Sequence, residues 1–193
     1  MIINPVSFGK KIPIATCKVK DLQQNKFVSA TMYEFDCCDL SDIREVEGKT
    51  RDWDFRTSIV HNMEHKYNCL TNPLHKRINN DAFYTIEKNN KIIGITQVTK
   101  EDPELIIEYI ESEHKGEYKY VGQNLINLLG KIAFKENFKR IYVPNPIPKA
   151  YNFYVKKCGF KENKNYGSVY LAKAGIAKLQ KKIKSLLRNG PAN

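Results

Sequence analysis

The run from residue 82 to residue 143 leaves few folds open. Residues 82–87 and 91–99 are apolar, strand-forming stretches on either side of Lys88-Asn89-Asn90. Asparagine tolerates the positive φ that tight turns demand, so this segment predicts a β-hairpin. After Asp102-Pro103, residues 104–113 read as a third strand. A loop over 114–121 then opens into a helix over about 122–137, which carries Leu125, Leu129, Ile132 and Ala133 on one face. Ile141-Tyr142-Val143 is a short strand, stopped by Pro144-Asn145-Pro146-Ile147-Pro148.

The flanks extend the pattern. Residues 12–14 and 27–35 read as two extended pieces around a polar turn at 21–25. Asp39 is the expected N-cap of a short helix ending near Gly48. Phe55, Ile59 and Met63 recur every fourth position, as one stripe of a helix that runs out near Asn72-Pro73. Beyond the prolines, a helix over 149–157 turns at Cys158-Gly159-Phe160 into a strand, and residues 168–172 form another. A basic helix over 175–188 closes the chain. The order β-α-α-β-β-β-α-β-α-β-β predicts an α/β (α+β layered) mixed sheet covered by helices. With no internal repeat and no Gly/Ser linker, residues 1–193 are expected to form one domain.

Charge is uneven along this domain. The net +11 combines −3 over residues 1–114 with +14 over residues 115–193, where 17 basic side chains face three acidic ones, Glu117, Glu136 and Glu162. Such a field favours an anionic partner: a phosphorylated cofactor, nucleic acid or an acidic membrane surface. The chain is 41% hydrophobic and 11% aromatic, which excludes a freely disordered chain. Five cysteines, Cys17, Cys37, Cys38, Cys69 and Cys158, show no CxxC spacing and read as reduced thiols. With no apolar run of membrane-spanning length and no leader-like h-region, a cytoplasmic protein is expected.

Two segments carry a family resemblance. Glu117-Tyr118-Lys119-Tyr120-Val121-Gly122-Gln123-Asn124-Leu125-Ile126 resembles the acyl-CoA loop of the GCN5-related N-acetyltransferases (GNAT), whose pattern is Gln/Arg-x-x-Gly-x-Gly/Ala before a Leu-rich helix. Ala150-Tyr151-Asn152-Phe153-Tyr154 and Cys158-Gly159-Phe160 resemble its second signature, Ala-x-x-Phe/Leu-Tyr followed by Gly-Phe. The resemblance covers residues 82–172, the acyl-CoA-binding core, and leaves residues 1–50 as divergent N-terminal strands. It implies a largely antiparallel GNAT-like sheet and acetyl-CoA as co-substrate, with direct transfer of an acetyl group to an amine and no metal.

A glycine opening a helix presents free N–H groups at the positive end of the helix dipole, a ready site for phosphate oxygens. In the family these amides hold the CoA pyrophosphate. Here they would come from Tyr118, Lys119, Tyr120, Val121, Gly122, Gln123 and Asn124, with Ile110, Ser112 and Asn145 completing the expected cofactor set. Two signature positions depart from the pattern: Tyr120 replaces the first glycine and Glu117 the Gln/Arg.

The resemblance implies that Tyr154 protonates the departing CoA thiolate. Counting from Ala150 selects Tyr154, whereas counting back from Gly159 selects Val155 and puts Tyr154 in the preceding apolar place. An extra residue in the turn reconciles the two counts. A lysine-like amine with a pKa of about 10.4 must lose a proton before it attacks, so a base is expected on the strand before the loop. Glu108 is the first choice there and Glu111 the second, with Glu104 and Glu113 also on that strand. Strict alternation puts Glu104, Ile106, Glu108 and Ile110 on one face and Leu105, Ile107, Tyr109 and Glu111 on the other.

The expected acceptor is a small-molecule, peptide or tRNA-linked amine. The alternative is an acyltransferase-like fold with a weakened CoA site that binds nucleic acid or protein through the basic residues after 115. His61, Glu64 and His65 match the H-x-x-E-H zinc pattern but have no identifiable third ligand. The last helix alternates Ile176, Leu179, Ile183, Leu186 and Leu187 with Lys178, Lys181, Lys182, Lys184 and Arg188. It suits its own core, a second subunit in a homodimer, a membrane or RNA.

Overall fold

A computed structural model describes residues 11–35, 40–53, 56–71, 80–113 and 116–188. The expected cap Asp39, the stripe residue Phe55, the stop at Asn72-Pro73 and the Cys37-Cys38 pair lie outside them. The chain opens with strands β1 (Ile12–Asp21) and β2 (Lys26–Phe35), then helices α1 (Leu40–Lys49) and α2 (Arg56–Thr71). The hairpin follows as β3 (Asp81–Lys88) and β4 (Lys91–Glu101), with Asn89 and Asn90 at the expected positive φ of 50° and 61°. Then come β5 (Glu104–Ser112), a two-residue β6 (Tyr118–Lys119), helix α3 (Val121–Lys135) and β7 (Arg140–Val143). Helix α4 (Pro148–Asn152) continues as a π-helical segment, Phe153–Cys158, before β8 (Lys161–Asn163), β9 (Ser168–Ala172) and α5 (Lys173–Arg188).

The nine strands of the described residues join one sheet in the order β6-β1-β2-β3-β4-β5-β7-β9-β8. Every neighbouring pair is antiparallel except β5 with β7. The sheet is therefore mixed and largely antiparallel, as expected for the GNAT fold. Helices cover both faces, which is why β3 and β4 read as near-continuous apolar runs rather than alternating ones. On one face Leu125, Leu129 and Ala133 of α3 and Ile176, Leu179 and Ile183 of α5 pack on Ile86, Ile93, Leu105 and Ile107. On the other, Ile43 and Val46 of α1 and Ile59 and Met63 of α2 pack on Phe35, Phe83, Ile92 and Ile95.

In the last helix Ile176, Leu179 and Ile183 thus pack on the chain's own core, while Lys178, Lys181, Lys182 and Lys184 stay exposed. A Cβ on Gly130 of α3 would lie 2.6 Å from Ile176, so this glycine sets how closely α5 approaches. His61 and His65 sit exposed on α2, and no cluster of three metal-ligating side chains occurs among the described residues.

Strict alternation fails along β5. Gln97 pairs with Tyr109 and Val98 with Ile107, so Glu108 is an extra, unpaired residue: a β-bulge. Before the bulge Leu105 and Ile107 face the α3 side. After it Ile110 faces that side and Tyr109 packs in the α1–α2 core. Leu105 and Ile107 therefore do not share a face with Tyr109 and Glu111.

Candidate active site

The site begins where two strands part. β5 and β7 pair only over residues 104–106 and 140–142, so among the described residues the second half of β5 has no strand neighbour on that edge. Helix α3 starts beside the gap. Its N-cap, Tyr120, adopts the left-handed conformation (φ 70°, ψ 10°) that glycine takes most cheaply. For an L-residue this costs roughly 1–2 kcal/mol. The Tyr120 ring stacks on Phe27 of β2, with centroids 6.0 Å apart and planes within 17°, a contact that offsets part of the cost.

A helix leaves its first four N–H groups without intrahelical partners. Here these are the amides of Tyr120, Val121, Gly122 and Gln123, which form a short positive cradle. Asn124 is not part of it. Its backbone N–H is already bonded to the Tyr120 carbonyl at 3.0 Å. Its side-chain Nδ2 donates to the Lys18 and Tyr120 carbonyls, each at 2.9 Å, which ties α3 to β1.

The cradle opens on a cavity of about 550 Å³. Eight residues of the expected cofactor set line it: Ile110 and Ser112 from β5, Tyr118 and Lys119 from β6, and Tyr120, Val121, Gly122 and Gln123 from the start of α3. Asn145 is exposed in the turn after β7 and does not. Glu111, Ala150, Phe153 and Lys157 complete the wall. Lys157 was not anticipated, because a lysine near a helix end reads as a solvated charge until the fold turns it toward a site. Phe153 packs on Gly122 so closely that a Cβ there would lie 2.8 Å from the ring, which gives this glycine a packing role beside its amide.

The two expected carboxylates separate. Glu108, the bulge residue, is exposed, accepts a hydrogen bond from Thr99 Oγ1 at 3.1 Å and lies outside the cavity wall. Glu111 is buried and forms part of the wall. Because Ile110 faces α3, alternation turns the Glu111 side chain through the sheet toward the α1–α2 face. Glu117, in place of the signature Gln/Arg, ties the loop to the hairpin: its carboxylate pairs with Lys91 at 3.0 Å and its carbonyl accepts from the Leu22 N–H at 2.9 Å.

Tyr154 is in the core rather than the wall. It is 3% exposed, its ring contacts Phe153 and Phe160 at centroid distances of 5.3 and 5.2 Å, and it does not line the cavity. The extra residue lies in the π-helical segment, not in the turn. The wider winding puts Tyr154 in the buried place given by counting back from Gly159. Burial, with Cys158 nearby, pushes the Tyr154 phenol well above its usual value, and burial likewise lifts the Cys158 thiol to about 12. Both stay protonated at neutral pH. The Tyr118 phenol is also raised, first by desolvation and then by the carboxylates of Asp21, Glu117 and Glu113.

A helix-start amide cradle thus opens beside a sheet that splays apart, with Lys119 and Lys157 in the cavity wall. Residues 42–160 match the acetyltransferase (GNAT) family, well over half of the chain. The chain belongs to this family and is an N-acetyltransferase; members use acetyl-CoA and transfer acyl groups to amines. The spermidine/spermine N-acetyltransferase SpeG from Vibrio cholerae shares the fold at TM-score 0.53 and 19% identity, over 77% of this chain and 98% of that one. A GNAT-family acetyltransferase from Staphylococcus aureus Mu50 shares it at TM-score 0.51 and 12% identity, over 75% and 99%. No curated protein matches the sequence.

Proposed function

We propose that this chain moves an acetyl group from acetyl-CoA directly to a primary amine. The observation that carries the reading is the cavity walled by the unpartnered end of β5 on one side and the amide cradle of α3 on the other. The Val121, Gly122 and Gln123 amides bind the pyrophosphate, and Lys119 and Lys157 supply mobile cations at the rim. The thioester extends along β5 past Ile106, where backbone groups without a β7 partner polarise its carbonyl. The amine approaches from the α1–α2 face and gives up a proton to Glu111, directly or through one water. Its nitrogen bonds to the acyl carbon, the carbon–sulfur bond breaks, and the thiolate leaves with the bonding pair to be protonated from solvent.

The left-handed Tyr120 supports a working cradle over a weakened one, because the backbone keeps the shape that glycine would give. Calorimetric titration with acetyl-CoA tests the reading. Micromolar binding is expected, weakened about three- to tenfold by Lys119→Ala or Lys157→Ala and more at high salt. Absence of binding at high micromolar ligand would overturn it.

The position of Tyr154 carries its own expectation. Tyr154→Phe keeps the ring packing and should retain more than half of the wild-type kcat. A fall of roughly 10²–10⁴-fold would return the proton-donor role to this hydroxyl.

A further inference from the structure

On the α1–α2 face lies a second, smaller pocket of about 160 Å³, lined by Gly48, Lys49 and Arg51 at the end of α1, Asp52, Trp53, and Lys91 and Glu113 from the hairpin and the end of β5. At roughly 30 Å³ for a water-sized group, it holds about five such groups. Two of its three cations, Lys49 and Lys91, are engaged, and Arg51 is exposed. Lys49 pairs with Glu45 and donates to Asn90 Oδ1 at 2.8 Å. Lys91 is shared between Glu113 at 2.7 Å and Glu117 at 3.0 Å, and these carboxylates raise its pKa above the ordinary lysine value. The unanswered group is an acceptor: Glu113 is 8% exposed, its Oε2 pairs with Lys91, and its Oε1 is buried with no hydrogen-bond partner among the described residues. A buried carboxylate oxygen left in that state is costly unless a donor reaches it, and a cationic donor answers it best. Half-buried Trp53 offers an indole for a cation or for the methylenes beside one, and Asp52 stands exposed at the rim.

The pocket is in register with the proposed chemistry. The Glu113 N–H donates to the Ile93 carbonyl at 3.1 Å, so the β4–β5 ladder continues one residue past the strand. Glu111 and Glu113 are then alternate residues on one face, about 6.5–7 Å apart along the strand. We propose that the Trp53–Glu113 pocket seats one ammonium group of an alkyl diamine acceptor, and that Glu111 meets the other amine at the splayed end of β5. A four-carbon diamine spans about that distance. The assignment rests on the acetyl-transfer reading for the fate of the second amine, but the binding step does not.

The test uses the full chain without acetyl-CoA, titrated calorimetrically with butane-1,4-diamine, butylamine and 4-aminobutyrate. The diamine should bind at least about tenfold more tightly than butylamine. Glu113→Gln should remove that preference while acetyl-CoA affinity is unchanged, and Trp53→Leu should weaken both amines. Equal affinity for diamine and butylamine, no loss in Glu113→Gln, or preference for 4-aminobutyrate through Arg51 would each overturn the proposal. If Glu113→Gln fails to fold, the diamine-to-butylamine ratio in the wild type and in Trp53→Leu decides. Acetyl-CoA binding without amine binding sinks the pocket alone; amine binding without acetyl-CoA binding sinks the transferase reading alone.

Discussion

Gly122→Val is expected to weaken acetyl-CoA binding by about a hundredfold or more, read as the dissociation constant in a direct titration. A single Cβ at this position already comes within 2.8 Å of the Phe153 ring, and a β-branched side chain adds two further carbons. Phe153 is itself part of the cavity wall, so the ring cannot yield without moving into the space proposed for the cofactor. Overpacking of this kind costs roughly 1–3 kcal/mol. One charge-assisted hydrogen bond lost from the cradle adds roughly 1.5–3 kcal/mol. With tenfold in affinity for each 1.4 kcal/mol or so, the two together reach two decades or more. The fold should survive, because the start of α3 is held independently by Asn124 through the Lys18 carbonyl. A variant that binds acetyl-CoA as the wild type does would remove the cradle from the mechanism.

Glu111→Gln should lower kcat by roughly 10²–10³-fold with little change in the KM for acetyl-CoA, since it removes a proton acceptor and keeps the side-chain shape. Glu108→Gln supplies the contrast: a carboxylate that is exposed on the bulge and bonded to Thr99 should leave kcat within about twofold of wild type. If the two variants lost activity equally, the acceptor would have to approach the cleft from the bulge rather than from the α1–α2 face.

What sequence revealed of this molecule divides along a physical line. Elements written in local chemistry were legible: the Asn89-Asn90 turn, the apolar face of α3 and the glycine at its start each depend on a few adjacent residues. The cavity-lining start of α3 was legible for the same reason, because a helix supplies its first amides whatever the side chains are. Features that turn on adding one residue were not. The bulge at Glu108 reverses which face the later carboxylates occupy, and nothing in the composition of residues 104–113 distinguishes a bulged strand from a regular one. The π-helical segment does the same to Tyr154. Its signal was present as a spacing one residue too long, but a spacing alone does not say where the extra residue is absorbed. The Trp53–Glu113 pocket joins positions sixty residues apart in sequence, so only the sheet brings them together.

The stacked pair of Phe27 and Tyr120 has a consequence for where the catalytic module of this chain begins. A glycine at position 120 would make the loop self-sufficient. A tyrosine makes it dependent on an aromatic partner from the β1–β2 hairpin, which lies wholly before the family-matched segment. Lys18, whose carbonyl anchors Asn124, belongs to the same hairpin. In the proposed function the cofactor grip therefore depends on a hairpin that lies outside the family-matched segment. With the cradle holding acetyl-CoA as proposed, substitutions in residues 18–27, far from any reacting atom, are expected to change acetyl-CoA affinity, whereas a glycine at position 120 would insulate the loop from them.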